Sequence, residues 1–137
     1  MNIRVVFLLT LLLPLTAIAE DEVEGNEEEK SLYERYEAIA GESVGRIRFS
    51  RNIEWRNVDE NTLVAETRRG RYWLLDIEKG CIRRAPLRVT LEGDQRKRQG
   101  MSEINQLDVL QIDDTRCTVR QIRPLDAEGV RAIRAEE

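Results

Sequence analysis

Histidine is absent from the 137 residues. With it go His-dependent catalytic triads, imidazole general bases and histidine metal sites. Cysteine occurs only at Cys81 and Cys117. That spacing is not the C-x-x-C of a redox couple, and two thiols cannot make a cysteine-rich zinc site. No G-x-S-x-G elbow, glycine-rich phosphate loop or dinucleotide fingerprint is present. No cofactor is implied. An enzyme built from this chain would have to work with carboxylates alone, as glycosidases do. Nothing in the sequence sets two carboxylates across a cleft, and Asp113-Asp114 reads as a turn that caps backbone groups rather than a Ca²⁺ or other metal site.

The chain also lacks an apolar run of the roughly 20 residues that a membrane-spanning helix needs. Residues 1–19 instead have the layout of a bacterial signal peptide: Arg4 near the start, an apolar stretch over residues 5–15 broken only by Thr10 and Pro14, and Ala17-Ile18-Ala19 before the acidic Glu20. Cleavage after Ala19 is expected, giving a periplasmic or secreted chain. No cysteine lies near the cleavage site, so no lipid anchor and no stable membrane anchor are expected. Removal of this segment takes Arg4 from the 22 basic residues and none of the 26 acids, leaving a net charge of −5.

That charge is concentrated. Residues 20–29 hold seven acids and no base, too polar to repay the entropy of ordering, so residues 20–30 are expected to form a disordered acidic leader. The stapled domain then spans 31–125, and residues 126–137 are expected to form a frayed tail in which Gly129 weakens any helix.

Within the domain, Ser31 and Glu34 have capping-box spacing, and Leu32, Tyr33, Tyr36, Ile39 and Ala40 recur at helical spacing up to Gly41. After Val44 the period changes to two. Arg46-Ile47-Arg48-Phe49, the stretch around Trp55, residues 62–67 and 71–77, residues 87–91, residues 107–112 and residues 116–122 read as strands. Pro124 should end the last of them. Arg68-Arg69-Gly70 reads as the turn of a central hairpin. Alternation divides Tyr72-Trp73-Leu74-Leu75 between two faces, one for the core and one for the N-terminal helix. The fold class expected is mainly β: a small antiparallel β meander or open barrel with one N-terminal helix, the alternative being a two-layer α+β arrangement.

In an exported protein, the even pair Cys81 and Cys117 reads as a disulfide. Closing a loop of this length would stabilise by about 4 kcal/mol, less any strain.

The order Ile47-x-Phe49, Trp55, Thr62-Leu63-Val64, Tyr72-Trp73-Leu74-Leu75, Cys81, Leu107-Asp108-x-Leu110 and Cys117-x-Val119-x-x-Ile122-x-Pro124-Leu125-Asp126 resembles a domain-of-unknown-function family of short exported bacterial proteins with one cysteine pair. The resemblance covers about residues 32–126 and implies no activity.

Arginine is the unusual polar feature: 19 of the 22 basic residues. Clusters fall at Arg68, Arg69 and Arg71, at Arg83 and Arg84, and at Arg96, Lys97 and Arg98, all in expected turns or loops. Guanidinium groups pair bidentately with carboxylates and phosphates. The bland reading is an ordinary charged surface. The sharper one is an accessory module that binds a protein or an envelope polyanion. A carboxylate-dependent hydrolase of envelope glycans or esters is the alternative. An acidic, exported chain is not expected to bind nucleic acid.

Overall fold

In a computed structural model, which describes residues 30–50, 52–83, 88–91 and 101–137, the first element is helix α1, Leu32–Ala38. Ser31 caps it: its hydroxyl accepts from the Glu34 amide while the Glu34 carboxylate accepts from the Ser31 amide. Strands follow at β1 (Arg46–Phe49), β2 (Glu54–Asp59), β3 (Thr62–Arg68), β4 (Arg71–Ile77), β5 (Val89–Leu91), β6 (Ser102–Asn105), β7 (Val109–Ile112) and β8 (Thr115–Leu125), with a second helix, α2, over Ala127–Ala135. The expected signal peptide and acidic leader lie outside the described residues apart from Lys30, as do Arg84, Arg96, Lys97 and Arg98.

The fold is mainly β. Among the described residues all strand pairings are antiparallel: a six-stranded sheet of order β2-β3-β4-β8-β7-β5 curls into a half-barrel, and β1 pairs with β6 in a second, two-stranded sheet. The central strands sort their side chains by parity. Leu63, Ala65 and Leu75 face inward, where they pack with Ile47, Phe49 and Ile104 of the small sheet and with Ile122 of β8. Val64, Tyr72 and Leu74 face outward and are covered by Tyr36 of α1 and by Val130 and Ile133 of α2. The expected division of the aromatic stretch between core and helix is therefore observed. The Cys81–Cys117 disulfide, with 5.9 Å between Cα atoms, ties the segment after β4 to β8 on the inner side.

Two features depart from expectation. Residues 126–137 do not fray: Asp126 caps α2 by accepting from the Gly129 amide, and Val130 and Ile133 are buried. Gly129, which costs helix propensity, faces Ile39, the C-cap residue of α1. A Cβ there would sit 2.9 Å from two Ile39 carbons, so packing outweighs propensity. Nor does Pro124 end β8, which continues to Leu125 with Pro124 opposite Trp73. The Pro124 carbonyl accepts from the Gly41 amide. A strand residue's N–H and C=O point the same way, so the missing donor faces the chain after α1 and not β4.

Candidate anion-binding groove

The β3–β4 hairpin turns at Arg69-Gly70, with Arg68 opposite Arg71 and Gly70 at φ +78°. A side chain at Gly70 would be strained in that left-handed region. The register shifts between Glu66 and Arg68, and the Trp73 indole N–H donates to the Thr67 hydroxyl at 3.0 Å, which pins the irregular base of the tip. Three arginines are thus held on a short, braced turn.

They border a groove of about 530 Å³ lined by Arg48, Phe49, Ser50, Thr67, Arg68, Arg69, Arg71 and Met101. Among the described residues, four arginines, a serine and a threonine line it, and none of the lining residues is acidic. Among the described residues no carboxylate pairs with Arg68, Arg69 or Arg71. Arg48 arrives from β1, where it stands opposite Glu103 of β6. Glu103 is buried behind it, 3.5 Å from the Arg48 Nε and 3.7 Å from an Arg46 Nη. The carboxylate meets Arg48 at its Nε and leaves much of that side chain exposed. On the other side of the tip a smaller hollow of about 230 Å³ brings Glu54 and Glu66 beside Arg68 and Arg69, and Glu66 is paired with Arg134 at 3.6 Å. Among the described residues, the tip therefore has one side lined by arginines without an acid and one mixed side.

The model of a family of unknown function, DUF6491, matches residues 1–137. The chain belongs to that family. No curated protein and no solved structure matches the chain.

For this DUF6491 member, the expected arginine clusters divide. Arg68, Arg69 and Arg71 converge; Arg83 is exposed but lines none of these hollows. Arg84, Arg96, Lys97 and Arg98 lie outside the described residues. Arg48, Ser50, Thr67 and Met101 were not anticipated. Arg48 carried a partial signal, since β1 alternates charged and apolar residues, but its partner strand lies far along the chain.

The acids elsewhere are structural. Asp76 and Arg123 meet at 3.3 Å on the outer sheet face beneath α1, with Tyr33 and Glu37 beside Arg123. Burial pushes the Asp76 carboxyl above the usual range, with Arg123 pulling the other way. Burial likewise raises the Tyr36 hydroxyl. Asp113 adopts φ +51°, and its carboxylate accepts from the Arg88 amide, the backbone-capping role expected of that turn. No three His, Cys, Asp or Glu side chains come together as a metal site would need among the described residues, and no helix there is long and apolar enough to cross a membrane.

Proposed function

We propose that this protein is an exported, disulfide-stapled accessory module that binds an anionic partner through the groove at the β3–β4 tip. One observation carries the reading: Arg48, Arg68, Arg69 and Arg71, from two different sheets, line one groove whose described lining contains no acid. An ordinary charged surface intersperses its signs, because unpaired like charges repel. Here the buried Glu103 supports Arg46 and Arg48 from behind without entering the groove. Export is supported by the layout of residues 1–19 and by the disulfide, which persists in oxidising compartments.

A carboxylate-dependent hydrolase would need two acids with raised pKa values in one cleft. Asp76 is raised, but it lies under α1 against Arg123 and lines neither the groove nor the smaller hollow. No observation favours that reading over binding.

The binding reading is tested with polyglutamate and inorganic polyphosphate as probes across a salt series, comparing the native chain with an Arg68→Gln/Arg69→Gln double variant. Binding that weakens with salt and falls at least about tenfold in the variant is expected. Equal binding by both chains would remove the groove from consideration.

A further inference from the structure

The six-stranded sheet ends in two edge strands, β2 and β5, and among the described residues neither has a strand partner on its outer side. Both edges border one hollow of about 640 Å³, with Asn52, Ile53 and Trp55 on the β2 side and Val89, Thr90 and Leu91 on the β5 side. This slot joins the arginine groove, because Phe49 and Ser50 line both. Among the described residues, the beginning of the β2 edge is open in this way. Further along, Val58 packs against the helices and Arg56 pairs with Glu137.

An edge strand presents a row of N–H and C=O groups that need partners. A purely apolar occupant of the slot would cover these groups without satisfying them, which is unfavourable. An added strand satisfies them, and its alternate side chains would meet the half-buried apolar groups of the slot. A segment continuing past Phe49 and Ser50 would then run beneath four arginines, where acidic side chains are matched in charge.

We infer that the site takes an extended polypeptide segment of a partner protein, apolar at alternate positions and acidic at one end, which adds as a strand to the β2 edge. This rests on the arginine groove as an anion site and narrows its partner to a protein.

The test uses the full chain with its disulfide intact and titration calorimetry. The probe is a synthetic ten-residue peptide of alternating valine and threonine ending in four glutamates. Two further versions carry backbone N-methyl groups at alternate residues of the valine–threonine part, one on the odd positions and one on the even. Only every second residue of an added strand points its N–H at β2, so one methylated version should lose at least about tenfold in affinity while the other stays within about twofold. Replacing the four glutamates by glutamine should also cost at least about tenfold. If both methylated versions bind like the parent while polyglutamate still binds, strand addition is wrong and the anion groove stands. If neither the peptide nor polyglutamate binds, both readings fall. Binding of dodecyl phosphate without binding of the peptide would overturn the inference in favour of an acyl occupant.

Discussion

The two faces of β4 are buried by different means. Inward, Leu75 and Ile77 enter an aliphatic layer closed by the small β1–β6 sheet and the disulfide. Outward, Tyr72 and Leu74 meet the helices, but the same face carries Asp76, and the neighbouring strands bring Glu66 and Arg123. There Arg134 lies over the Tyr72 ring at 4.9 Å while pairing with Glu66, and Arg123 bridges Asp76 and Glu37. Arginine stems can cover apolar surface while their heads find acids or water. The sheet is thus held by apolar packing and a covalent link on one side, and by apolar packing mixed with ion pairs on the other. Substitutions should therefore cost more on the inner side.

The largest effect is expected from the staple. Cys81→Ser should lower unfolding free energy by about 4 kcal/mol, less any strain released, read from denaturant midpoints. Untreated protein should show no alkylatable thiol by intact mass. Leu75→Ala, fully buried on the inner face, should cost about 3 kcal/mol, since the surrounding layer can close only part of the cavity. On the outer face, Gly129→Ala gains helix propensity but drives a Cβ into Ile39, and a net loss of about 1–2 kcal/mol is expected. A Gly129→Ala cost exceeding that of Leu75→Ala would invert the comparison.

Acid–base behaviour should report on the outer face, where Asp76 lies. The folded chain holds the Asp76 proton more tightly than the unfolded chain does, because burial raises its pKa. The stabilisation that this gives is complete below the ordinary value of 3.8 and is lost as pH rises through the folded-state value. Asp76→Asn cannot lose a proton, so its stability should gain on the native chain as pH climbs through that window. Parallel stability–pH curves would contradict this. The smallest effect is expected from Arg56→Ala, which removes a solvent-exposed pair with Glu137 and should change stability by about 0–1 kcal/mol.

What the sequence made legible was local. The Ser31/Glu34 spacing, the alternation through Tyr72 to Leu75 and the turn ending in Gly70 each depend on residues within a few positions of one another. Long-range consequences were hidden. The strand β6 has one aliphatic residue, Ile104, among Ser102, Glu103 and Asn105, and it becomes a strand by pairing with β1. Gly129 looked like a helix breaker because the Ile39 side chain that requires its smallness lies far away in the chain. The groove shows the same division. Its tip arginines announced themselves by sitting in a turn, whereas Arg48 joins them only after β1 has paired with β6.

The strand β8 has a further consequence for the order of assembly. Its first part pairs with β7 and its second with β4, so among the described residues it is the one strand that joins the β2–β3–β4 ladder to the β5–β7 ladder. The two ladders on either side differ in how soon they can form. The β2–β3–β4 ladder comes from adjacent stretches and can zip up early, because short loops close at little entropic cost. The half-barrel itself cannot close until residues 115–125 have been synthesised and threaded into place. Until then the apolar strand β4 stands at an open edge, which makes the nascent chain most prone to aggregation just before its final strand arrives.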